Sequence, residues 1–259
     1  MSYQGPALDL LPFFADVKAA ATAAGFAIET FGEAAGWPLL LLRRDAADPA
    51  APTLYISSGI HGDEPAGPLA ILELLREGAL DARYHWLLFP ALNPGGLAAK
   101  TRENPAGVDV NRDYCNSQSP EARQHTAWLV REEMARRRYA LAICLHEDWE
   151  TSGYYLYELN GTTGPLYGNA ILAAVESICG VDRSPIIEGM EAKNGLITRP
   201  VDDLRNRPVF PEAIYLALKH TDHCLTLEAP SAQDLPRRVA AHVMGVKAAI
   251  AEWEKETKK

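Results

Sequence analysis

Two histidines and a glutamate, His61, Glu64 and His146, are the side chains of this sequence best suited to chemistry. Zinc takes imidazole nitrogen and carboxylate oxygen, and a catalytic centre uses three protein ligands while a fourth position stays open to water. A His-x-x-Glu pair at 61–64 with a distant histidine at 146 supplies that set. The pair alone is a weak signal, because a surface loop tolerates the same spacing. A second polar group lies in NPGGLAAKTRENPAGVDVNRD at 93–113, whose Gly-rich turns display Arg102, Asn111 and Arg112 from irregular backbone, where side chains can converge on a ligand. Glu228 stands in CLTLEAP at 224–230. Taken singly, the arginines read better as surface charges, Asn111 as a turn former and Glu228 as a carboxylate at a helix start.

The elements that must position these residues follow from hydrophobic patterning. TLYISSGI at 53–60 is an apolar, β-branched run ending near a glycine; HGDEP follows, then AGPLAILELLREG with helical spacing. The pattern returns as strand and turn at 84–96, a helix at 119–138 opened by Ser119 and Pro120, and a strand at 139–148. GYYLYEL at 153–159 reads as a strand, 166–178 as a helix, 224–230 as a late strand and 234–256 as a closing amphipathic helix. Residues 180–212 carry Pro185, Pro200, Pro208 and Pro211 and read as a long irregular excursion bordering a pocket. Strands alternating with helices predict a mostly parallel sheet covered on both faces. In such sheets ligands bind past the carboxyl ends of the strands, which is where His61, Glu64, His146 and Glu228 fall.

Five motifs in order, GIHGDEPAG, ALNPGG, TREN-x-x-GVDVNRD, LH at 145–146 and TLEAP at 226–230, resemble those of carboxypeptidase A-type zinc peptidases. The likeness is nearest to short bacterial members such as murein peptide amidases, with the succinylglutamate desuccinylase and aspartoacylase branch as relatives. It spans roughly residues 53–230, about two thirds of the chain. The resemblance implies a three-layer α/β fold around a mixed, mostly parallel sheet of about eight strands, and one zinc ion per chain. It implies that His61, Glu64 and His146 are the zinc ligands and Glu228 the general base, that Arg102 polarises the scissile carbonyl, and that Asn111 and Arg112 grip a substrate carboxylate. The expected activity is hydrolysis of an amide bond next to a free carboxylate in a small peptide; the alternative is deacylation of an N-acyl amino acid. Cys144 departs from the family, whose members often carry Asp there, and Glu147 and Asp148 follow His146, where either could orient its ring. Tyr154, Tyr155, Tyr157 and Tyr215 are candidates for the family's substrate-facing tyrosine.

Composition bounds the rest. The chain has 259 residues, 47% of them hydrophobic and 23% charged, and reads as one catalytic domain over 1–259. A net charge of −9 argues against sequence-independent nucleic-acid binding, which draws its affinity from Lys and Arg on phosphates. The four cysteines form no CxxC pair and read as reduced, buried thiols. The first residues lack a basic leader and no apolar run is long enough to span a membrane, so a cytoplasmic location is expected. His220 and His223 repeat a metal-like spacing but read as loop or helix-end residues, and His85, His125 and His242 as structural. Trp128 and Trp253 are expected to pack helix faces, and Trp149, near the proposed site, is a candidate for lining a pocket.

Overall fold

The computed structural model describes residues 8–135, 138–161, 164–205 and 207–257. In chain order the elements are α1 (Leu10–Ala23), β1 (Ala27–Ala34), β2 (Trp37–Arg44), β3 (Thr53–Ser58), α2 (Ala66–Arg76), β4 (His85–Phe89), α3 (Pro94–Ala99) and a single 3-10 turn at Val110–Arg112. Then come α4 (Pro120–Ala135), β5 (Leu141–Asp148), β6 (Tyr155–Asn160), α5 (Gly168–Cys179), β7 (Ile186–Ile187), β8 (Met190–Glu191) and β9 (Leu196–Thr198). A 3-10 turn at Val201–Leu204, α6 (Glu212–Lys219), β10 (His223–Pro230) and α7 (Leu235–Thr257) complete the order.

Eight strands form one mixed sheet in the order β1-β2-β4-β3-β5-β10-β6-β9. Its centre, β4-β3-β5-β10, is parallel throughout. These strands are buried on both faces, which is why they read as continuous apolar runs. Alternation along each strand divides the core. Leu54 and Ile56 of β3, Leu141, Ile143 and Leu145 of β5, and Leu225 and Leu227 of β10 pack under α1, α2, α5 and α7. Tyr55, Ala142, Cys144 and Cys224 face the other way, against α4 and α6. With period 2, His146 and Glu228 fall on the α4/α6 side, and Glu147 on the α2/α7 side.

The expected three-layer fold is present, and the structure adds elements to it. The stretch at 84–96 is a strand followed by the start of the short helix α3. The excursion at 180–212 holds a small hairpin and the edge strand β9, and leads straight into α6. Cys144, Cys179 and Cys224 are buried free thiols, but Cys115 is exposed, because it lies in the turn between the 3-10 segment and α4 rather than on a packed element. Among the described residues no helix is long and apolar enough to cross a membrane.

Candidate active site

The loop after β3 is built so that His61 and Glu64 meet. Gly59 turns the chain at φ +64°, a conformation L side chains rarely adopt. Gly62 lies so close to Gly96 that a Cβ would fall 1.9 Å from the Gly96 carbonyl carbon. That approach lets the Gly62 N–H donate to Thr101 O at 2.9 Å. Asn93 ties the same loops from below: its side chain accepts from Gly96 N at 2.9 Å and donates to Ile60 O at 3.2 Å. The HGDEP loop and the NPGG loop, at the ends of neighbouring parallel strands, are thus one packed unit.

His61, Glu64 and His146 converge there, all buried, with one donor atom of each within 4.8 Å of the others. Glu64 bridges the rings, Oε1 lying 2.6 Å from His61 Nδ1 and Oε2 2.9 Å from His146 Nδ1. On the far side of His61, Asp109 Oδ1 lies 3.2 Å from Nε2. A carboxylate only accepts, so Asp109 holds a proton on Nε2 and Glu64 one on Nδ1; a cation displacing the Nδ1 proton would meet a neutral ring whose Nδ1 lone pair faces the meeting point. Burial opposes charge on His61, but the Glu64 carboxylate and the Asp109 hydrogen bond outweigh it and push the ring up to about 9. Burial likewise opposes charge on Glu64, yet the two imidazoles hold it well below the usual carboxylate range. The group therefore attracts positive charge, and its donor set, spacing and tautomer fit a divalent metal.

These residues open onto a cavity of about 440 Å³ that also brings together Arg102, Asn111, Arg112 and Glu228, so all seven side chains singled out from the sequence share one space. Glu228 sits beside His146 in the parallel β10/β5 register and beside Tyr155 in the antiparallel β10/β6 register. Burial pushes its carboxyl up to about 8, against the pull of His146. Arg102 donates through Nε to Asp109 Oδ2 at 3.1 Å and lies 3.7 Å from Glu64 Oε1. Asn111 Oδ1 accepts the Glu212 N–H at 2.9 Å, so its amide orientation is set and its Nδ2 is left to donate. Arg112 is exposed at the cavity wall.

Several secondary expectations are decided by the packing. Neither Glu147 nor Asp148 hydrogen-bonds His146: Glu147 turns to Arg238 and the Ala66 N–H, and Asp148 accepts from Tyr155 Oη at 2.9 Å. Tyr155 and Tyr157 line the cavity. Tyr154 pairs with His242, and Tyr215 packs on Tyr114 and His220. His223 is spent on Glu158 at 2.6 Å, and among the described residues neither it nor His220 joins a three-ligand cluster. His125 is buried between the Tyr55 and Tyr114 hydroxyls, His85 beside Asp45, and Trp128 and Trp253 are buried, as expected of structural residues. Trp149, 55% exposed, is at the cavity rim. Asp109 was in view within GVDVNRD, but its partner His61 is 48 residues away, so no local spacing marked its role. Arg199, Arg207 and Glu188 also line the cavity, from the excursion whose course patterning does not reveal.

The sequence model of the succinylglutamate desuccinylase/aspartoacylase catalytic domain matches residues 50–177. Carboxypeptidase SOL1 of Arabidopsis thaliana is 26% identical over 114 residues, which cover 36% of this chain and 23% of that protein. This chain thus spans about a quarter of the length of the curated relative it matches. A provisionally named metallopeptidase of Shewanella denitrificans superposes with a TM-score of 0.82 at 26% identity, over 94% of this chain and 90% of that one. The chain is similar to zinc carboxypeptidase-like proteins. Carboxypeptidase A of Helicoverpa armigera shares the fold with a TM-score of 0.67 at 14% identity, over 94% of this chain and 72% of that one. These likenesses support a metal-dependent hydrolase.

Proposed function

We propose that this chain is a zinc-dependent peptidase or peptide amidase that hydrolyses an amide bond next to a free carboxylate in a small peptide. The observation that carries the reading is the convergence of His61, Glu64 and His146, with Glu228 one strand away, on the wall of one cavity. His61 and His146 would hold one zinc ion through Nδ1, and Glu64 through its carboxylate. A zinc ion bound there supplies a Lewis acid that lowers the pKa of water to roughly 7 and polarises the carbonyl.

The chain's own residues do the remaining work. Glu228, beside His146 on the cavity wall, would accept a proton from water and return it to the leaving amine. Arg102 is held by Asp109 within reach of the ligand cluster, where its guanidinium can take up charge developing on the carbonyl oxygen. Asn111, its amide oriented by Glu212, presents N–H donors to a carboxylate, and Arg112 adds a planar fork that matches two oxygens.

A second reading, an N-acyl amino acid deacylase using the same residues, rests on the desuccinylase/aspartoacylase match over 50–177. Elemental analysis of wild type beside folded His61→Ala and His146→Ala, followed by a panel of peptides and N-acyl amino acids, tests both. About one zinc per chain, lost in each variant, supports the metal centre; a wild type that takes up no zinc on reconstitution sinks it. Turnover of N-acyl amino acids alone would move the deacylase reading to first place.

A further inference from the structure

Glu147 sits between the two segments that carry the metal-binding triad. It follows His146 on β5, but alternation sends its side chain to the opposite face of the sheet, the face covered by α2 and α7. There Oε1 accepts the backbone N–H of Ala66 at 2.6 Å, and Oε2 accepts from Nη1 of Arg238 in the first turn of α7. Both side chains of this ion pair are 0% exposed.

The Ala66 bond matters because of where α2 begins. Ala66 is its first residue, two positions after Glu64, and the residue in front of it, Pro65, makes no side-chain cap. A helix start leaves N–H groups unpaired and favours a negative charge. Glu147 supplies acceptor and charge together from another strand, so the position of Glu64 relative to His146 is fixed across one carboxylate. Arg238 holds that carboxylate from below. Removing Glu147 frees the start of α2 from β5, and removing Arg238 frees Glu147 itself.

We propose that Glu147 and Arg238 are positioning residues that set the separation of Glu64 from His146 and hence the affinity of the centre for metal. The inference rests on the metal-site reading above. It differs from simple stabilisation, since replacing a buried ion pair by apolar residues of similar volume is often neutral for stability.

The test is zinc affinity, measured by competition with a chromophoric chelator, beside thermal melting and steady-state kinetics of the full chain. The double variant Glu147→Met/Arg238→Leu removes both charges and the acceptor for Ala66. It is expected to bind zinc more weakly by a factor on the order of 10–100, with kcat lowered and KM little changed. The double variant Glu147→Gln/Arg238→Leu keeps an acceptor for the Ala66 N–H and is expected to recover most of the affinity. Wild-type zinc affinity in the first variant at an unchanged melting temperature overturns the proposal and leaves the metal-site reading intact; a wild-type protein that binds no zinc overturns both. If the first variant does not fold, Arg238→Lys carries the test. Weakened zinc binding at an equal melting temperature then supports the proposal, and unchanged binding overturns it.

Discussion

Glu64 with His61 and His146, and Glu158 with His223, are both buried acid–histidine groups built on the same sheet, with closest contacts of 2.6 Å in each. They lie at opposite ends of it. The first is at the carboxyl ends of the parallel strands; the second joins β6 to His223, the first residue of β10. Their remaining contacts separate them. Glu158 also accepts the N–H groups of Tyr167 at 2.7 Å and Gly168 at 2.9 Å, so it anchors the start of α5, and His223 stacks on Tyr167 with ring centroids 4.1 Å apart. Glu64 meets two imidazoles and an arginine at 3.7 Å, and it opens onto a cavity. A carboxylate whose lone pairs are spent on backbone N–H groups is a structural cap; one facing imidazoles and a guanidinium at a cavity wall is available to a cation.

The sharpest way to break this comparison is to remove ligands from the first group. His61→Ala and His146→Ala are expected to abolish turnover and metal content together while the chain stays folded, and chelation of wild type should do the same reversibly. A folded His146→Ala protein with full metal would mean that the centre lies elsewhere. Glu228→Gln separates chemistry from binding within the same group. It should retain zinc and lower kcat by a factor on the order of 10²–10⁴, read by elemental analysis beside initial rates. Arg102→Met comes next, with an expected loss of about 10²–10³ in kcat at full metal content. A rise confined to KM would show that Arg102 binds substrate without serving the transition state.

The two groups were unequally legible in the sequence. His61 and Glu64 share one loop, and His146 ends a strand whose apolar run, buried on both faces, is unmistakable, so the motif order and the patterning pointed to one place. The pairings that distinguish a site from a cap are long-range. Glu158 meets His223 across 65 residues and Glu147 meets Arg238 across 91, and no periodicity reports such distances. β1 and β2 form an edge hairpin in which β1 has one buried residue, and its turn uses Ala35 at φ 52° and Gly36 rather than an Asn-Gly or Asp-Gly pair. α6 is only eight residues long, too short for its apolar spacing to repeat over the several turns that mark a helix in a sequence.

The smallest expected effect on activity is also the one that sharpens the contrast most. Glu158→Gln keeps the shape of the side chain but places an amide donor against one of three existing donors, the Tyr167 N–H, the Gly168 N–H or the His223 ring. In a site where Glu158 is 1% exposed, water cannot relieve the mismatch, and an unmet buried polar group costs about 1–3 kcal/mol. For a chain of this size each kcal/mol lowers the melting temperature by roughly 2–4 °C. The variant should therefore melt several degrees early while holding wild-type zinc and wild-type kcat per folded molecule. Loss of zinc from the folded variant would show that the cap at the far end of the sheet is coupled to the metal centre, and the division between the two groups would fail.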